Sequence, residues 1–144
     1  MNVGSTGLTT VLKVKEFQER SAQRELAAIK VNRANEEQTL DKLEESRTNA
    51  MDDEGDVTRI KAADLQTSHA FIDSLGRQIS QQEDRVDAIK QQEDQKRDEL
   101  VEKSKSRQIV EKLDARKQEE AGKESERKSQ RVMDVLAQRM KMGF

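Results

Sequence analysis

The side chains able to do chemistry in this chain are few, and their spacing suits surface display better than catalysis. His69 is the only histidine, and it sits beside an apolar seam at a position where a solvated or partly packed residue is expected. The chain has no Cys to serve as nucleophile or thiolate ligand, no Tyr, and no glycine-rich phosphate loop. Two acidic pairs, Asp52-Asp53 and Glu119-Glu120, lack the alternating oxygen ladder of a calcium loop. The other acids alternate with bases at helix-surface spacing, as in Glu99 with Lys103 and Glu124 with Lys128. No pocket on such a surface can raise a carboxylate's pKa, so no catalytic residue, metal, cofactor or small-molecule substrate is expected. What remains is the chemistry of binding.

The elements that must position any binding residue are written in the apolar spacing. Leu8, Leu12, Ala22, Leu26, Ile29, Leu40, Leu43 and Ala50 occupy the a and d positions of one uninterrupted heptad frame. Leu65, Ile72, Leu75, Ile79, Val86, Ile89 and Leu100 occupy those of a second. Between them Met51-Asp-Asp-Glu-Gly-Asp-Val57 is acidic, contains Gly55 and breaks the spacing, so the chain can reverse there. The expected fold is all-α: residues 1–144 as a single elongated antiparallel coiled-coil hairpin, with helix one over about 8–50, a turn at 51–57, and helix two over about 58–140. Helix two is the longer and overhangs its partner beyond about residue 104. Facing seam residues are expected to have numbers adding to 108, so that Leu43 meets Leu65, Ile29 meets Ile79, Ala22 meets Val86 and Leu8 meets Leu100.

Composition agrees with an extended helical chain. Of 144 residues, 39% are charged and 32% hydrophobic, with a mean hydropathy of −1.04, which leaves too little apolar surface for a compact core. There is no Pro to interrupt long helices. No stretch approaches the ~18 apolar residues of a membrane span, and the first residues lack the pattern of a leader, so a cytoplasmic location is expected. The net charge of −2 gives no pull toward nucleic acid, although it is unevenly spread: residues 103–141 carry 12 bases against 7 acids.

The expected seam is weak. In the 108 register four facing pairs are apolar on both sides, and most others set an apolar residue against a polar one, as in Glu36 with Ile72, Arg33 with Leu75 and Leu26 with Gln82. A Leu covered by Gln gains only part of the roughly 1.5–3 kcal/mol of full burial. The hairpin is therefore expected to be marginal and to gain order from a partner.

Two features rise above this background. At the C-terminal end Val132, Leu136 and Met140 stand at i, i+4, i+8 with Met133 adjoining, an apolar face on an otherwise polar arm. Docking onto another protein or self-association would each account for it. Phe71, next to seam residue Ile72, is held partly outward, either as an exposed patch with Leu75 or as a cover for the seam.

The runs Leu8-Thr-Thr-Val-Leu-Lys-Val-Lys-Glu16 and Leu40-Asp-Lys-Leu43 open and continue the first helix. His69-Ala-Phe-Ile-Asp-Ser-Leu75, Gln78-Ile-Ser-Gln-Gln82, Glu111-Lys-Leu-Asp-Ala-Arg-Lys117 and Met133-Asp134 follow in the second. In these runs, in length and in the order of a shorter and a longer helix, the chain resembles the FliJ family of the bacterial flagellar type III export apparatus, whose injectisome counterparts are the YscO-like proteins. The resemblance implies a non-enzymatic protein like the stalk subunit of rotary ATPases. Its expected partners are a hexameric export ATPase related to FliI, the export-gate protein FlhA and export chaperones. It would act at the cytoplasmic face of the inner membrane, held there by protein partners alone. Carried over by position, Leu8, Leu12, Val132, Leu136 and Met140 belong to the ATPase end, with Arg127, Lys128 and Arg131 beside them, and Phe71 with Leu75 to the gate-facing surface. The chain departs from the family pattern in having no Tyr on helix one and in its acidic net charge. The alternatives are an injectisome counterpart or a dimeric coiled-coil spacer.

Overall fold

A computed structural model describes residues 7–55 and 61–143, which form two helices and, among the described residues, no strand. Helix α1 spans Gly7–Glu54 (48 residues) and helix α2 spans Ala62–Lys141 (80 residues). The all-α architecture with a longer second helix is as expected. None of the described helices is long and apolar enough to cross a membrane.

By their contacts the residues fall into two units, Ala22–Leu100 and the pair Met1–Ser21 with Val101–Phe144. In each, α1 runs antiparallel to α2. Within Ala22–Leu100, Arg33 pairs with Glu93 and, nearer the reversal, Glu54 with His69. Within the other unit Thr9 pairs with Asp114 and Glu19 with Arg107.

Apart from Leu65, the apolar heptad positions of both frames are buried or half-buried. In Ala22–Leu100 the core consists of Ala22 and Leu26 from α1 and Ile72, Leu75, Ile79, Val86 and Ile89 from α2, together with the polar Gln82 and Glu93. The other α1 seam positions there, from Ile29 to Glu54, are half-buried. The asymmetry follows from composition: the α1 seam carries the long polar side chains of Arg33, Glu36 and Arg47, each half-buried.

The register differs from the expected one. Arg33 meets Glu93 rather than Leu75, Glu36 meets Gln82 rather than Ile72, and in the other unit Glu19 meets Arg107 rather than Ile89. The pairing is displaced by about two heptads, and a slide of whole heptads leaves every seam position facing a seam position. Apolar spacing alone therefore does not distinguish the two pairings. Polar complementarity does. Gln82 donates to the Glu36 carbonyl at 2.9 Å and to its carboxylate, and Lys96 reaches Glu25 at 3.1 Å.

The helix ends follow suit. Helix α1 continues through Met51-Asp-Asp-Glu54, residues expected in the turn, and closes with the Gly55 amide donating to the Met51 carbonyl at 3.0 Å. Helix α2 begins at Ala62, and the expected start near Thr58 lies outside the described residues, as does Val57 at the end of the expected turn. The first residues of α2 are exposed, so Leu65 is open at the surface instead of packed against Leu43. Asp64 in the first turn of α2 and Arg139 and Lys141 in its last complement the helix dipole, and Gly143, at φ +79°, takes the left-handed conformation that stops it. Helix α1 has the opposite arrangement at its C-terminal end, where Asp52, Asp53 and Glu54 meet the negative pole.

One seam position is a defect. The Nε of Arg47 is buried without a hydrogen-bond partner, in a recess shared with Ile79, Glu44 and Glu83. An unsatisfied buried donor costs about 1–3 kcal/mol. Arg47→Leu is therefore expected to raise the melting temperature by a few degrees in a thermal scan followed by circular dichroism. A fall would mean that the guanidinium contributes more through its exposed nitrogens than its Nε loses.

Candidate partner-binding surfaces

In the unit of Met1–Ser21 and Val101–Phe144, the seam of α2 ends at Asp114, which is buried, accepts from the Thr9 hydroxyl at 3.0 Å and is bonded by Gln118 at 3.2 Å. From Ala115 to Gly143 every residue is exposed except Ala121, which is half-buried. The helix persists there on local support, with Lys123 on Glu119 at 3.4 Å and Gln130 on Asp134 at 3.1 Å.

The apolar face expected at this end is present and free. Val132, Leu136 and Met140 are 59%, 51% and 79% exposed. A shallow groove is lined by Arg131, Val132, Val135, Leu136 and Arg139, and a second recess by Lys128, Ser129, Val132 and Met133. Arg131 and Lys128 thus border the apolar face as expected. Arg127 is exposed but lines neither recess. Val135 and Arg139 escaped the sequence reading, which followed the i, i+4, i+8 row; the i+3 and i+7 positions from Val132 would have found both.

Leu8 and Leu12 are in a different situation. Both are half-buried in the seam of this unit, and they are not brought together with Val132: the Thr9 contact to Asp114 lies about 27 Å of helix before it. They support the hairpin and offer only their outer edges.

In Ala22–Leu100, Phe71 is 53% exposed while Leu75 is 5% exposed. Of the two alternatives for Phe71, the exposed patch shared with Leu75 is ruled out: Leu75 is buried in the seam, where its heptad position places it, and only Phe71 faces outward. Close by in sequence, His69 is exposed and its Nε2 is 2.7 Å from Glu54, a contact that the reading of His69 alone did not foresee.

Three cations are tuned by ion pairs within and between the helices. Arg33 is raised by hydrogen bonds to Glu93 and then Glu37, and Arg107 by its hydrogen bond to Glu19. Lys96 is held above the usual lysine range by hydrogen bonds to Glu99 and Glu25. A cation whose folded pKa is raised contributes stability that is complete below its unfolded pKa and lost as pH climbs through the folded value. The stability gap between the wild type and Lys96→Met should therefore hold constant from neutrality to the ordinary lysine pKa, 10.5, and close above it, as read by urea titration across that range. A gap that persists at higher pH would assign the effect to packing of the stem instead.

A family model described as flagellar FliJ protein matches residues 5–142 of the chain. No curated protein and no solved structure matches it.

Proposed function

From the premise that the chain belongs to the flagellar FliJ protein family, a non-enzymatic, export-related family, we propose that it is a stalk and coupling component of flagellar type III export. In this reading it engages a hexameric FliI-like export ATPase through the C-terminal part of α2 and a FlhA-like export gate through the surface around Phe71. It also escorts export chaperones and works at the cytoplasmic face of the inner membrane.

The observation that carries the reading is the exposed face of Val132, Val135 and Leu136 between Arg131 and Arg139. The chain keeps this stretch helical, yet among the described residues nothing packs against it. A single asymmetric stalk must meet six chemically identical subunits, so its contacts have to be adaptable. Flexible Met side chains and flanking positive charge meet that need better than one fixed hydrogen-bonded lock. Leu8 and Leu12, half-buried in the hairpin seam, hold the base of this end. Phe71 projects from a helix whose neighbouring Ile72 and Leu75 are anchored in the core, which gives the aromatic ring a firm mounting.

The two surfaces should be separable. Leu136→Ala with Met140→Ala is expected to reduce stimulation of the partner ATPase by about tenfold and leave gate binding intact. Phe71→Ala should do the reverse. Truncation after Gln130 that left both ATPase stimulation and secretion unchanged would remove the ATPase assignment.

A further inference from the structure

The Ala22–Leu100 unit has a second, nearly equivalent pairing written into it. Within this unit a slide of two heptads exchanges one set of apolar layers for another of the same size: Ala22 with Leu100, Leu43 with Ile79 and Ala50 with Ile72 in the pairing seen, against Ala22 with Val86, Ile29 with Ile79 and Leu43 with Leu65 in the other. The contacts that differ are polar. Arg33 with Glu93, Glu36 with Gln82 and Lys96 with Glu25 exist only in the pairing seen, and Gln82 and Glu93 are buried there. Two features of the helix ends favour exchange. Leu65 holds a seam position in the second frame yet is 37% exposed, and the slide would set Leu43 over it. The segment Met51–Glu54, which the slide would release from α1, places three acids at the negative pole of its helix.

We propose that this hairpin is a two-register device, in which the Arg33, Glu93, Glu36 and Gln82 contacts hold one register and a slide of α2 by two heptads, about 21 Å, reaches the other. Covering of Leu65 by a partner favours the register seen, because the other register buries that side chain internally. Binding near the chain reversal and the position of α2 along α1 are thereby linked. The device stands independently of which partner the protein has.

Because the chain has no Cys, a labelled pair can be introduced cleanly. Spin labels on Lys30→Cys and Glu83→Cys lie far apart in the pairing seen and come together after the slide. The full-length wild-type background should give one long distance. Arg33→Leu with Glu36→Leu and Gln82→Leu adds apolar partners to both registers alike while removing the contacts made in only one, and it should raise the ratio of short to long distances at least about tenfold. A single unchanged long distance in a fully helical triple variant overturns the proposal. Should that variant fail to fold, charge reversal decides: Arg33→Glu alone should populate the short distance, and Arg33→Glu with Glu93→Arg should restore the long one. Absence of either effect in the helical protein overturns the proposal as well.

Discussion

The pairing of Gln82 with Glu36 and of Arg33 with Glu93 is the constraint on which the Ala22–Leu100 unit depends. Two helices can bury only a stripe each, and no side chain among the described residues is enclosed completely. Aliphatic contacts along such a stripe repeat every heptad and carry little information about alignment. A polar group in the seam behaves differently, because moving it away from its partner leaves a buried donor or acceptor unsatisfied, at about 1–3 kcal/mol. A few polar layers therefore decide what many apolar ones leave open, at a cost in stability relative to an all-aliphatic seam.

The helix ends depend on this alignment. Once Glu36 is set against Gln82, the end of α1 at Glu54 lies beside His69, and Leu65, earlier in α2, is 37% exposed although it occupies a seam position. In the unit of Met1–Ser21 and Val101–Phe144, Thr9 on Asp114 marks where α1 gives out. The residues that follow are exposed but for Ala121, and they remain helical because they contain no Pro and carry lateral pairs such as Lys123 with Glu119. Gly122 in their midst has open space around it and does not break the helix.

What was legible in the sequence follows from which interactions are periodic. The α1 seam from Leu8 to Ala50 is legible in the sequence, and each of its positions is buried or half-buried, because a heptad frame marked by Leu, Ile and Ala states directly which side faces a partner; its last turn to Glu54 is not, because no apolar residue marks it at the seam spacing. The register is not readable from the same repeat: setting Leu43 opposite Leu65 matches apolar residues but separates Arg33 from Glu93 and Gln82 from Glu36. Phe71 and Leu75, four residues apart, straddle the seam edge, so one faces solvent and the other the core, which the apolar character of both does not reveal. The exposed face at Val132, Leu136 and Met140 was legible for the opposite reason: nothing upstream in α1 remained to cover it.

A seam that is sparing with aliphatic layers has a consequence for a protein whose surfaces must meet others. Each Leu or Ile added to the seam would lengthen the buried stripe and tie down residues that are now free, and each one added outside it would enlarge an exposed patch already bordered by Val132, Val135 and Leu136. Charge is the remaining means of keeping helices aligned without making them adhesive. Ion pairs at the edge, such as Lys96 with Glu25 and Lys90 with Glu37, contribute little individually in water but penalise wrong alignments by setting like charges or bare apolar groups against them. The high charge content is thus the physical complement of the short apolar list: it supplies alignment, leaves the apolar residues at the C-terminal face available for binding, and keeps the hairpin only as stable as its polar layers make it.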